Sequence, residues 1–146
     1  MEFTVKDLKE AGVDEETIKK VVNFFKNKKS YKIVLTDMIH PSLNVWTKWH
    51  WARISKKKKE FEETIYWLAK QQKIDNLKLK KAKIKIIYYF SNKQRKDKDN
   101  FAPKFIMDGL TKAGIITDDN DDEVTVTIKF DYDKKNKRTE ILIFKW

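Results

Sequence analysis

The nine residues Ala82–Phe90, AKIKIIYYF, constrain this chain more than any other stretch. They are rich in Ile and aromatic residues, contain neither Gly nor Pro, and read as a strand. A second run, VTVTIKFDYD from Val124, alternates apolar and polar residues as a half-buried strand does. The tip KKNK then turns it back into Thr139–Trp146, so these two strands are expected to form a hairpin. Tyr31–Ile39 alternates in part and gives a further strand. Between the strands, Phe61, Ile65, Leu68 and Ala69 recur at helical spacing, which predicts a helix over Glu60–Gln72. Phe101–Ala113 forms another, with Phe105, Ile106 and Leu110 inward and Gly114 ending it. The order implies an α+β fold, a mixed β-sheet packed with helices.

The 146 residues suffice for one core of ordinary size. Residues 1–30 read as an N-terminal helical extension and 31–146 as the main domain. In the extension, Thr4 and Asp7 make a capping-box-like start, with Leu8 and Ala11 following until Gly12 stops the run. Asp14 can cap a second helix whose apolar face is Ile18, Val21, Val22 and Phe25. After the first strand, His40-Pro41-Ser42-Leu43-Asn44 makes a turn. The Trp-rich stretch VWTKWHWARI follows as a further short strand, ahead of the basic run Lys56–Lys59.

The chain has no Cys and only two His. Disulfides, thiolate-held zinc, a thiol nucleophile and a multi-histidine metal site are all excluded. Any metal must be held mainly by carboxylate oxygens, which favours Mg²⁺ or Mn²⁺. No signal-peptide pattern and no membrane-spanning apolar run is visible, so a cytoplasmic protein with no membrane partner is expected. A net charge of +11 attracts polyanions, of which nucleic acid is the commonest in that compartment.

Against that positive background two loops concentrate acids. Asp97 and Asp99 precede the helix at Phe101, and Asp118, Asp119, Asp121, Asp122 and Glu123 follow it. Carboxylates repel the phosphates that the rest of the surface attracts, and a divalent cation resolves the conflict by neutralising them and contacting a phosphate itself. A helix of about ten residues is ~15 Å long. Residues 114–118 can run back ~16 Å if extended, returning Asp118 and Asp119 to the helix start. Two protomers of a dimer could instead contribute one loop each. Asp121 and Asp122 read as turn residues. An EF-hand reading fails, because Glu123 stands where that loop needs Gly and Lys129 where it needs Glu.

The run RKDKDNFAPKFIMDGLTKAGIITDD, residues 95–119, resembles the RusA family of Holliday-junction resolvases. The resembling positions are Asp97, Asp99, Asn100, Lys104, Asp108, Leu110, Ala113, Gly114, Asp118 and Asp119. Pro41-Ser42-Leu43-Asn44 with Trp46 and Trp49 resembles a turn near that family's N-terminus. One residue more than in the family pattern, with Pro103 in the added space, separates Asn100 from Lys104. The resemblance implies a RusA-like fold and a homodimer that nicks two opposed strands of a four-way DNA junction using Mg²⁺ or Mn²⁺. It implies Asp97, Asp99 and Asp119 as metal ligands and catalytic residues, with Asp118 assisting. Lys104 would stabilise charge on the phosphate, and an i,i+4 pair with Asp108 could fix its position.

Arg95, Lys96 and Lys98 flank the proposed ligands and are candidates to steer DNA to them; Arg53, Lys56 and Lys57 are candidates to track its backbone. Trp46, Trp49 and Trp51 are expected in the core or a dimer interface, though one could stack on an unpaired base. His50 is expected to be structural or exposed. Two rivals to resolution remain: a catalytically silent, structure-specific DNA-binding protein, and a metal-dependent nuclease of other branched DNA or RNA.

Overall fold

The computed structural model describes residues 5–20, 30–94, 96–117 and 123–145. Among them four strands form one sheet: β1 (Ser30–Thr36), β2 (Ala82–Phe90), β3 (Val124–Tyr132) and β4 (Arg138–Lys145). Their spatial order is β1-β4-β2-β3. β4 is antiparallel to both β1 and β2, while β2 and β3 are parallel. The fold is α+β with a mixed sheet, as the sequence predicts.

The expected β3–β4 hairpin does not form, because β2 lies between the two strands. β2 is apolar enough to be buried on both faces: Ile84, Ile86 and Tyr88 are inaccessible on one, and Ile87 is only 8% exposed on the other. An interior place suits such a strand, since both its edges are then paired. The 133–137 connection instead passes the end of β2, where the Asp133 N–H donates to the Phe90 carbonyl at 2.8 Å. β1 also stops earlier than the predicted Ile39, at Thr36. The next residue, Asp37, has φ +59°, which no strand accepts.

The helices are α1 (Val5–Glu10), α2 (residues 15–20), α3 (Leu43–Trp46), α4 (Trp51–Gln71) and α5 (Lys104–Lys112). Gly12, at φ +80°, ends α1 as expected. Ile18 on α2 is buried, whereas Thr4, Val21, Val22 and Phe25 lie outside the described residues. The Trp-rich stretch expected as a strand is divided instead between the end of α3 and the start of α4, with a turn over residues 47–50, and α4 begins at Trp51 rather than Glu60. Lys is a good helix former, and Ile54, Phe61 and Ile65 keep helical spacing across the Lys56–Lys59 run. His50 caps the helix, its Nδ1 accepting from the Ala52 N–H at 3.2 Å. α5 begins at Lys104 rather than Phe101, because Pro103 disfavours helical backbone at the residue before it.

α4 and α5 pack together on one face of the sheet. Phe61, Ile65 and Ala69 of α4 and Phe105, Ile106 and Leu110 of α5 bury against Ile33, Leu35, Ile84, Ile86, Ile141 and Ile143. Gly109 permits close approach, since a Cβ there would lie 2.7 Å from Ile65 Cδ1. Lys58 pairs with Asp108 at 2.8 Å and Glu62 with Lys112 at 2.9 Å. Each partner moves one turn forward together, so the two helices run in the same direction. Gly114, at φ +77°, closes α5 against the Asp75 carbonyl, where a Cβ would come to 2.3 Å.

Candidate active site

The helices' common direction brings their N-termini to the end of the sheet where β2 finishes, and there the first acid loop lies. Asp97 caps the 3₁₀ turn Lys98–Asn100, its Oδ1 accepting from the Asp99 N–H at 3.0 Å. A short acidic side chain bonding its own backbone two residues on fixes such a turn locally. Both Asp97 and Asp99 are exposed.

Two anchors hold this turn to the domain. Phe101 is 9% exposed and packs on Tyr88, Phe90 and Phe130, with ring centroids 5.7, 5.5 and 5.4 Å away. Asn100 Oδ1 accepts from the backbone N–H of Asn44 at 2.9 Å. The Pro41–Trp46 turn and the acid loop, both part of the family resemblance, are thus neighbours. Trp46 continues the contact, edge-on to Phe105 at 5.8 Å.

Beneath them sits His40, 1% exposed among Phe61, Tyr88, Phe101 and Phe105. Nδ1 lies 2.9 Å from the Pro41 carbonyl, which can only accept, so Nδ1 carries the proton. Nε2 of the neutral ring then accepts from the Tyr88 hydroxyl. Burial holds the imidazole below its ordinary pKa, the Pro41 bond opposing it in part, and burial pushes the Tyr88 phenol well up. Burial thus favours the neutral form of both groups, which makes this pair a neutral foundation rather than an acid–base device.

The remaining sequence candidates divide. Lys104 is exposed at the first position of α5, a terminus with no side-chain cap. Asp108 does not pair with Lys104 as expected; it is taken by Lys58 across the helix interface. Lys98 is exposed. Lys96 is folded back onto its own loop, bonded to Asn92 Oδ1 and the Gln94 carbonyl and lying 4.2 Å above the Phe90 ring. Arg53 stacks on Trp49 at 3.9 Å, Lys57 lies 3.4 Å from Glu60, and Lys56 is exposed. The three tryptophans separate as well. Trp46 is half-buried on Phe105 and Trp49 lies under Arg53, but Trp51 is 72% exposed, against the expectation of burial within the domain. Arg95, Asp118 and Asp119 lie outside the described residues, as do Asp121 and Asp122.

The residues bracketing that second acid run are described, and they stand at the other end of β2. The Thr117 N–H donates to the Leu79 carbonyl at 3.0 Å, and Ala82 N–H donates to the Glu123 carbonyl at 3.1 Å. The eight steps from Ala82 to Phe90 span roughly 26 Å of strand, and the 97–99 turn lies beyond Phe90. The chain after α5 therefore does not run back to the helix start. Among the described residues no three acidic or imidazole groups converge in a way that could hold a metal ion. Asp97 and Asp99 offer two hard oxygen donors of the right kind for Mg²⁺ or Mn²⁺, an incomplete set.

Sequence reasoning passed over His40 and the Asn44–Asn100 bond. No local pattern announces either, because each is assembled from segments far apart in the chain. No helix among the described residues is long and apolar enough to cross a membrane. A family model described as endodeoxyribonuclease RusA matches residues 40–144, more than two thirds of the chain. No curated protein matches it.

Proposed function

The chain belongs to the RusA endodeoxyribonuclease family, and from that premise we propose that it resolves four-way DNA junctions by paired nicks, as a cytoplasmic, Mg²⁺- or Mn²⁺-dependent homodimer. The observation that carries this reading is the fixed placement of Asp97 and Asp99 beside the uncapped start of α5, where Lys104 stands. When bound, the divalent ion supplies a Lewis acid that neutralises charge on the phosphoryl oxygens. Asp97 and Asp99 would hold it. Lys104, with the positive end of α5, receives the phosphate and stabilises charge that develops during in-line attack by water. Lys98, Arg95 and Lys56 draw the polyanion in; Lys57, Arg53 and Lys96 contribute less, because each has a partner within the chain.

The ligand set is completed across the dimer. The separation between the Asp97–Asp99 turn and Thr117, roughly the length of β2, supports a site that takes Asp118 and Asp119 from a second copy. Residues 31–146 form the nuclease domain and 1–30 an extension to it. Ser30 already pairs with Phe144, so the sheet of that domain begins one residue before this boundary.

The test incubates the protein with a labelled four-way junction and a matched duplex, in Mg²⁺ and in EDTA. Symmetric nicks in the junction alone, lost in Asp99→Asn, are expected. Equal cutting of the duplex would remove junction selectivity. Tight junction binding without cutting in either Mg²⁺ or Mn²⁺ would leave a silent structure-specific binder.

A further inference from the structure

Trp51 lies tilted against the ring of its neighbour His50, with centroids 5.4 Å apart, and that contact leaves most of the indole uncovered. The nearby tryptophans are better placed: Trp46 covers Phe105 and Trp49 lies under the Arg53 guanidinium. Trp51 leaves 72% of its surface in water, more than any other large apolar residue described. An indole so exposed at a precise place is costly to keep unless something covers it.

Its place follows from the packing of α4 on α5. Trp51 is seven residues ahead of Lys58, which on a helix is about 20° short of two full turns. Both therefore share the stripe of α4 directed at α5, where Lys58 meets Asp108. Because the helices run in the same direction, stepping back ~10 Å along α4 from Lys58 reaches Trp51. Stepping back ~6 Å along α5 from Asp108 reaches Lys104. Trp51, the first residue of α4, thus lies toward the same end of the helix pair as Lys104, the first residue of α5, and the acid loop that precedes it. Exposed Lys48 lies three residues before it. A flat apolar surface on a chain of net charge +11 suits a base attached to a phosphate backbone, whose π-face it can stack while cations of the surface take the phosphates.

We propose that Trp51 stacks on the free face of an unstacked base at the branch point, and so selects branched over continuous DNA at the Asp97–Asp99 site. In a duplex every base is already stacked on its neighbours and offers this indole nothing. At a branch point the stack is interrupted and one face is free. This inference rests on the junction-resolving reading above. A second copy of the chain seated on Trp51 is the competing occupant, and the experiment separates them.

Binding is measured in EDTA, so that no cleavage occurs, to a four-way junction and to matched duplex. Each carries 2-aminopurine at the branch point or at the equivalent duplex position. Wild-type protein is expected to change the fluorescence of the junction probe only. Trp51→Ala should weaken junction binding about tenfold and abolish the fluorescence change, with duplex binding within twofold and an unaltered melting temperature. Trp51→Phe should recover most of the affinity. Wild-type preference for the junction, undiminished in Trp51→Ala, overturns the inference and leaves the junction reading standing. Wild-type protein that binds both DNAs equally overturns that reading, and this inference falls with it. Dissociation of a wild-type dimer by Trp51→Ala, read by sedimentation, assigns the indole to the interface between copies instead.

Discussion

The backbone N–H of Asn44 donates to Oδ1 of Asn100, 2.9 Å away and fifty-six residues on, and so ties the turn before α4 to the loop bearing Asp97 and Asp99. A bond of this kind contributes about 0.5–1.5 kcal/mol to stability. Its effect on position is larger, because a displacement of about 1 Å in a reacting group can cost a hundredfold in rate. Asn100→Ala is expected to lower stability by about 1 kcal/mol in urea unfolding. It should reduce junction cleavage at least tenfold, with junction binding in EDTA little changed. A loss of binding equal to the loss of rate would show that the bond does not act on the catalytic loop.

If the site is shared between two copies, inactive variants can repair one another. Asp99→Asn and Asp119→Asn are each expected to be inactive alone. Mixed and allowed to exchange subunits, they form dimers in which one site carries both substitutions and the other carries neither. Those dimers should nick one strand of a junction without cutting the opposed one. No recovery after proven exchange would mean that each protomer supplies a whole ligand set.

The partners of Asp108 separate stability from catalysis. Lys58 and Asp108 are partly buried, and Asp108 raises the Lys58 pKa through their hydrogen bond. With solvent screening allowed for, the pair contributes about 0.5–1 kcal/mol. Asp108→Asn should cost about that much in denaturant unfolding and leave the cleavage rate within about twofold. Lys104→Ala should do the reverse, with unfolding unchanged and cleavage down by about a hundredfold. A large rate defect in Asp108→Asn would return Asp108 to the phosphate-handling machinery.

His40 makes the fold sensitive to acid. Its folded pKa is depressed by burial, so between that value and its ordinary ~6.5 the unfolded chain binds a proton that the folded chain does not. The sign is fixed: stability is fully present above about pH 6.5 and declines as pH falls, by up to about 1.4 kcal/mol per unit. Urea unfolding between pH 7.5 and 5 should show this decline, and His40→Gln should flatten it. An unchanged slope in the variant would place the acid sensitivity elsewhere.

What was legible in the sequence was local. β2 was readable to its ends because apolar composition and length both mark it. Gly12 and Gly114 were readable as helix stops because positive φ is a property of single positions. The missed features depend on distant partners. Nothing in KKNK says whether the strands on either side of it pair with each other or straddle a third. The lysines of Lys56–Lys59 hid the first half of α4 by filling the exposed face of a helix whose buried face carries only Ile54 and Phe61 there. Asp108 could be placed on α5 from its spacing, but its partner belonged to another helix. The acid pairs could be recognised as candidates, but the sequence left open whether the distance back to the first is covered within one chain or the site is shared by two. That distance is set by the parallel crossover from β2 to β3, not by how far a few residues can extend.

The straddled arrangement also bears on the order in which the molecule can assemble. β4 is the latest of the four strands to leave the ribosome, yet it occupies an interior position, between β1 and β2. Among the described residues β1 has no other neighbour in the sheet, so it must wait for more than a hundred residues of synthesis before Arg138–Lys145 arrives. The parallel pair β2–β3 and its helix can form beforehand, but only as a half-built sheet with one apolar edge open. Completion of the nuclease is therefore a single late event, and a polypeptide halted before β4 holds both proposed acid loops with no finished framework to aim them.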